Sequence, residues 1–443
     1  MRVQESNIDF SDTVTDIQDS EKQVQPSVEV IRDLKELEQL RPEWDSLAAR
    51  VPSTVYQSFD WLYLWWKHFG SDANRTLHVV LVRAGGGIVG IIPLMLESKK
   101  LFGVKVSSSL RFLGCGVRNS SKRGLFDNYS PSDFLDAIID PAYAPQTIRA
   151  FLTYLTENKD SWDELSLENI SDDSIFRKEL LALLEQNKMH YTASKADICP
   201  RLNAPVSMKE YLASLSSGVR RRFSQARKLE SESGNASIET IGSAQDLDAY
   251  LDELIALHQS RWNTLGYVGA FSDSRFVGLQ KDILHAFYAH DWIWFKRVRM
   301  NGATVATRLG FKYNEKLYDY LSRFSDQMLS SKIRPGLALL LSMIEDASEW
   351  RYQTIEFLRG AEPYKFELTS VYSSLWHIHI AIPQKGNSLK RFFARRLKFY
   401  ESIRYRFLLE FLTLRVHYKQ HRTPMFLVRY VNFRMKKYFD SKG

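Results

Sequence analysis

The chain has 443 residues, 44% hydrophobic and 13% aromatic, and a net charge of +8. That length predicts more than one compact domain. The composition excludes a chain disordered throughout, a collagen-like fibre and a small disulfide-stapled scaffold. Cys115 and Cys199 are the only cysteines, too few for a disulfide framework, and they fit a reducing cytoplasm.

The charge is uneven. Residues 381–443 hold 16 Lys/Arg against Glu401, Glu410 and Asp440, a balance of +13, so the rest of the chain sums to −5. Residues 1–27 are acidic and lack an apolar signal core, and read as a disordered tail rather than a signal or transit peptide. The most apolar run, Ala84–Leu96, is thirteen residues broken by glycines and Pro93, short of the roughly 18 needed to span a membrane.

From Val28 the spacing predicts a helix, with Leu34, Leu37, Trp44 and Leu47 on one face. A second helix follows, started by Ser58 or Asp60, carrying Trp61, Leu64, Trp65 and Phe69 and ended by Gly70. These aromatics are expected to be core. β-Branched residues on both sides of Gly85–Gly87 predict a hairpin. Gly85, Gly87 and Gly90 match G-x-G-x-x-G, but the run that follows holds Pro93 and starts no helix, so a dinucleotide loop is not expected. SSSLRFLG reads as a strand, PQTIRAFLTYLTENKD as a helix, WDELSLENI as a strand, DSIFRKELLALLEQNKM as a helix and HYTASKADICPRL as a strand. Together they make a first α/β unit over 28–204.

A second unit is expected over 205–384. It opens with one helix through VSMKEYLASLSSGVRRRFSQARKLE, and two more helices follow it. Three strands come next, turned at Asn301-Gly302 and Asn314-Glu315. A helix follows from Pro335, then a strand in YQTIEFLRG and a last strand in SSLWHIHIAI. The two units repeat one order of elements, which suggests two related lobes. No metal site is expected: His377 and His379, and His417 and His421, lack obvious acidic or cysteine partners. Residues 385–443 read as a basic, aromatic helical tail.

Two segments point to chemistry. Arg334, Pro335 and Gly336 open a long apolar helix. Pro335 suits its first turn, and Gly336 permits close approach of a ligand. The free N–H groups and the dipole of such a mouth can hold an anion such as a pyrophosphate; a plain helix start reads equally well. Just after the next strand, Arg359, Glu362, Tyr364 and Lys365 fall within seven residues, a good place for acid–base work, though a solvated loop is the alternative.

An ordered series of pieces resembles the CelD-like acyltransferases of the GNAT superfamily, which are related to the FemAB peptidyltransferases. The pieces are YQSFDWLYLWWKHFG, LRFLG, RRRFSQARKLE, LHQSRWNTLGYVGAFSDSRF, ATRLGFKYNEKLYDYLSRFSD, PGLALLLSMIEDA and FLRGAEPYKFEL, spread over residues 40–380. The resemblance implies an α+β (α/β) fold of two tandem GNAT-like lobes, with mixed central sheets flanked by helices. It implies an acyl-CoA donor, acetyl-CoA first among candidates, and no metal. Arg334, Gly336 and Ala338 would bind the donor; Ile333 stands where the superfamily's pyrophosphate loop carries Gln or Arg. Glu362 would be the general base and Tyr364 the general acid. Arg359 and Lys365 would hold the acceptor, a sugar or polysaccharide precursor. Ala361 stands where the family often has Asp. Two alternatives stay open: a FemAB-type aminoacyl transferase using charged tRNA, disfavoured by the acidic body, and a catalytically degenerate scaffold. The basic tail suits an anionic membrane surface, so the expected place is the cytoplasm, peripheral on the inner membrane face; nucleic acid is not an expected partner.

Overall fold

The computed structural model describes residues 26–70, 74–101, 104–116, 131–229, 235–264, 269–328 and 334–381. The acidic N-terminal segment, Ile333 and the basic tail lie outside them. No helix among the described residues is long and apolar enough to cross a membrane.

The first lobe supplies β1 (Ser27–Ile31), β2 (Arg75–Ala84), β3 (Gly87–Leu101), β4 (Val104–Phe112), β5 (Ile138–Ile139), β6 (Glu164–Ser171) and β7 (Tyr191–Asn203). The second supplies β8 (Ala236–Thr240), β9 (Ile293–Met300), β10 (Ala303–Tyr313), β11 (Lys316–Phe324), β12 (Thr354–Glu356) and β13 (Tyr372–Ala381). All join one mixed sheet in the order β1-β2-β3-β4-β6-β13-β7-β12-β11-β10-β9-β8, with β5 against β3.

That order contains an exchange. In each lobe an antiparallel meander leads through a helix to a parallel neighbour: β4 to β6 through Ala144–Glu157, and β11 to β12 through Pro335–Glu349. Each lobe's last strand then pairs with the other lobe. β13 lies antiparallel to β6, β7 lies antiparallel to β12, and β7 and β13 pair with each other. The two lobes are therefore interlocked by strand pairing, and the topological repeat read from the sequence is present.

Most expected elements form. The glycine run is the β2–β3 turn, with Gly85 and Gly86 at φ of 60° and 82°, a conformation that glycine adopts without steric cost. Three expectations need correction. The segment from Val28 is not helical at its start: alternating Val28, Val30 and Ile31 form β1 on β2, and the helices are Leu34–Gln39 and Arg41–Arg50. The helix expected from Pro205 breaks in two, Met208–Ser214 and Ser217–Arg227, because the Ser216 side chain caps the second by accepting from the Val219 N–H. The strand in YQTIEFLRG is three residues long, and β8, which carries no strong apolar pattern, was not anticipated.

The core runs across both lobes. Trp61 and Trp65, on the Phe59–Phe69 helix, are fully buried. Trp61 packs edge-on against Phe311 and Tyr320 of the second lobe, at 5.8 and 5.7 Å between ring centroids. A fully buried Phe such as Phe287 or Phe311 contributes roughly 1.5–3 kcal/mol relative to an exposed one, so this seam fixes the lobes to each other.

Candidate active site

β11 and β12 are parallel but pair only over Lys316–Tyr318 with Thr354–Glu356. Beyond Glu356 the backbone leaves β11 but continues along β7: the Phe357 N–H donates to the Pro200 carbonyl and the Gly360 N–H to the Ile198 carbonyl, both at 3.0 Å. β11 runs on to Phe324 along β10. The two strands thus splay apart, and a cavity of about 880 Å³ opens between them, walled by Asp319–Phe324 on one side and Phe357–Arg359 on the other.

A bulge shapes the first wall. Leu309 lies opposite Leu321 but Gly310 opposite Asp319, so Tyr320 is the extra residue. Bulges re-aim side chains beside sites, and Tyr320 faces the cavity. Only glycine fits at Gly310, where a Cβ would stand 2.8 Å from the Tyr318 carbonyl oxygen.

The helix Pro335–Glu349 opens into this cavity. Pro335 sits in its first turn, and no side chain caps it. The Gly336 N–H has no hydrogen-bond partner among the described residues, while Leu337 and Ala338 donate to the Arg334 carbonyl at 3.0 and 3.1 Å. Arg334 stands exposed at the mouth, with no carboxylate partner among the described residues. An uncapped amide, a helix dipole and an unpaired guanidinium converge there, the requirements for binding an anion. Ala338 does not line the cavity; it is buried among Val298, Val305 and Ala306, where its small size lets the helix sit close to the sheet.

Beneath the mouth lies a buried ion pair. Arg308 on β10 donates Nε to Asp319 Oδ1 at 2.9 Å and Nη2 to Oδ2 at 3.2 Å, and its Nη1 reaches the Gly336 carbonyl at 3.1 Å. Both side chains are only 4% exposed. Tyr364 lines the same cavity. Desolvation, helped by the Asp319 charge, raises its phenol pKa above the ordinary value, while Arg308 pulls the other way. A phenol keeps its proton at neutral pH even at its ordinary value, and the upward shift only reinforces this, so the Tyr364 hydroxyl can donate a hydrogen bond there.

Of the residues singled out in the sequence, Arg334, Gly336, Arg359, Glu362, Tyr364 and Lys365 all line this one cavity. Their bonding sorts them further. Glu362 is half-exposed and pairs with Lys365 at 2.9 Å. Lys365 itself is buried, and its Nζ also donates to the carbonyls of Leu358, Arg359 and Gly360 at 3.3, 3.0 and 3.5 Å. Arg359 forms an ion pair with Asp133 of the first lobe and donates Nη2 to the Ser132 carbonyl at 2.6 Å. Both cations are thus committed to bonds within the protein.

Sequence reasoning missed Arg308, Asp319, Tyr320 and Asp133. For the first two there was a signal: charges inside strands that otherwise bury both faces. Asp133 sits in a segment with no motif. His379, read as lacking an acidic partner, has one in Glu164 at 2.8 Å across the β13–β6 pairing. No group of three or more His, Cys, Asp or Glu among the described residues could hold a metal ion.

Comparison with known proteins bears on this site. Residues 217–366 match a family model described as an acetyltransferase (GNAT) domain. That segment contains the helix mouth, the splayed strands and Tyr364. A search of the curated proteins finds no match. Among solved structures, that of FemX is similar at 11% identity and a TM-score of 0.52, covering 77% of this chain and 96% of its own. A conserved protein of unknown function from Bacteroides thetaiotaomicron is similar at 14% identity and a TM-score of 0.47, covering 80% of this chain and all of its own. A tandem GNAT protein from the clavulanic acid biosynthesis pathway is similar at 12% identity and a TM-score of 0.40, covering 81% of this chain and all of its own. The fold class is the expected one, a large mixed sheet flanked by helices and built from two topologically related lobes, and the GNAT match falls on the second lobe. The CelD-like subfamily is not among these matches.

Proposed function

We propose that this protein is an acyltransferase that moves an acetyl or longer acyl group from acyl-CoA to an amine or hydroxyl of a sugar or polysaccharide precursor. The observation that carries the reading is the convergence, inside the segment matching the GNAT acetyltransferase domain, of an uncapped helix mouth at Gly336 and the Tyr364 phenol in one cavity.

The residues present fit such a donor. The Gly336 N–H and Arg334 would hold its pyrophosphate, and the absence of a Cβ at Gly336 leaves room for close approach. Bound there, the donor supplies an activated acyl carbonyl as a thioester. The splayed strands hold that carbonyl and the acceptor together, which lowers the barrier by orientation. Glu362 is placed to accept the acceptor's proton, directly or through water. Tyr364 is placed to donate a proton to the departing sulfur. Arg308 and Asp319 fix the floor on which Tyr364 rests.

The basic, aromatic segment 385–443 would attach the enzyme to an anionic membrane surface from the cytoplasmic side, each Lys or Arg near that surface contributing on the order of 1 kcal/mol. That would bring it beside membrane-bound polysaccharide machinery.

The test is twofold. Native mass spectrometry of the purified protein should show a retained CoA species. Thiol release from acetyl-CoA should then accelerate with an amino sugar or a hydroxyl-bearing glycan as acceptor. Release that no such acceptor accelerates would remove the sugar assignment, and absence of any CoA binding would remove the acyltransferase reading.

A further inference from the structure

The loop that carries Glu362 and Tyr364 has an unusual backbone. Leu358, a residue with a branched side chain, sits at φ 58°, and Gly360 at φ 117°. Left-handed backbone at a non-glycine residue is unfavourable and persists only where surrounding contacts impose it. Two clamps impose it here. From within the loop, Lys365 gathers three successive carbonyls, Leu358, Arg359 and Gly360. From the other lobe, Asp133 accepts the Arg359 backbone N–H at 3.2 Å and also the Arg359 guanidinium.

The second clamp is rigidly founded. Asp133 is buried. Its neighbour Ser132 accepts from Trp61 Nε1 at 2.7 Å through its hydroxyl, and from Asn169 Nδ2 at 3.3 Å and Arg359 Nη2 at 2.6 Å through its carbonyl. Four residues after Asp133, the Ala137 carbonyl accepts from Gln57 Nε2 at 3.0 Å. The path from the Trp61 helix to Tyr364 is thus a chain of packed and hydrogen-bonded groups that crosses from the first lobe to the second.

We infer that Asp133 is a positioning residue: through Arg359 it holds the 358–365 loop in the conformation that presents Tyr364 and Glu362 to the cavity, so that the first lobe completes a site whose reacting groups all belong to the second. Arg359 is then spent on this contact and does not bind the acceptor. The inference rests on the acyltransferase reading only for its consequence on turnover; the latch itself is independent of it.

Hydrogen–deuterium exchange of the full chain decides the latch. Asp133→Asn and Arg359→Gln should each speed exchange in the peptide covering 357–368 by about tenfold or more, with exchange across β2–β4 unchanged. The double variant should be no faster than the worse single, because one contact is removed once. Asp133→Glu and Arg359→Lys, which keep the charges, should fall between if the asparagine variant does not fold. Unchanged loop protection in both Asp133→Asn and Arg359→Gln overturns the latch, whatever the chain catalyses. The positioning role is read from thiol release with acetyl-CoA: kcat should drop about tenfold with KM and acetyl-CoA affinity within twofold of wild type, since the Gly336 mouth is untouched. A rise in KM for the acceptor with kcat unchanged would instead make Arg359 an acceptor-binding residue and overturn the proposal. Failure of the wild-type protein to bind acetyl-CoA would defeat the functional reading and leave the exchange result to decide the latch.

Discussion

Arg308 and Asp319 meet under the mouth of the Pro335–Glu349 helix in a two-point ion pair that is almost wholly shielded from water, and Arg308 Nη1 donates to the Gly336 carbonyl. A buried pair of this kind adds little net stability over an apolar replacement, but removing one partner strands a buried charge, at a cost of about 3–5 kcal/mol. Asp319→Ala should therefore destabilise the protein by that order in urea denaturation. Asp319→Asn, which keeps an acceptor, should cost less. Equal stability of wild type and Asp319→Ala would mean that the pair is open to water.

Tyr364→Phe tests the proton donor. It removes the hydroxyl and keeps the ring, so acetyl-CoA affinity should hold while kcat falls by about 10²-fold, within the usual range for general acid–base groups. Glu362→Gln should lower kcat most below neutral pH, where the acceptor's proton is hardest to remove. Full activity in both variants would take them out of the mechanism.

Glu356 provides a stability test with a definite sign. It is 3% exposed, and one carboxylate oxygen has no hydrogen-bond partner. Burial raises its pKa above the ordinary carboxylate value. The folded state then holds the proton more tightly than the unfolded one, so stability is greatest below the unfolded value of about 4 and falls as pH rises toward the folded one. Glu356→Gln should remove that slope: little change in thermal midpoint at pH 4, and a midpoint several degrees above wild type at pH 8. A Glu356→Gln midpoint below wild type at pH 8 would show that the charged form is stabilised by a partner.

Much of this was legible in the chain, and the gaps have physical reasons. The β9–β11 meander could be read because Asn301-Gly302 and Asn314-Glu315 mark its turns, and all four adopt positive φ. The helix mouth could be read because Pro335 and Gly336 are local features. The strand exchange could not: β7 and β13 look like ordinary strands, and their partners lie in the other lobe. Asp133 was hidden for the same reason, its role depending on a contact 226 residues away. Charge and spacing alone suggest acceptor-binding roles for Arg359 and Lys365 and cannot show that both charges are met by partners within the protein.

The membrane expectation for residues 385–443 lies outside the described residues and is tested directly. Full-length protein should float with anionic liposomes at low salt and release at high salt, as electrostatic binding is screened. A chain ending at Pro383 should stay at the bottom. Sedimentation of both at low salt would end the idea.

In the proposed reaction an acyl-CoA donor seats its pyrophosphate at the mouth of the Pro335–Glu349 helix. A Cβ at Gly336 would already stand 3.2 Å from the Phe324 ring, so an indole there would fill the mouth. Calorimetric titration of acetyl-CoA into wild type and Gly336→Trp, each shown to be folded, tests it most directly. Saturable binding to the wild type and a loss of at least about tenfold in affinity in the variant are expected. Equal affinity in the two proteins would place the donor elsewhere and remove the pyrophosphate site at Gly336.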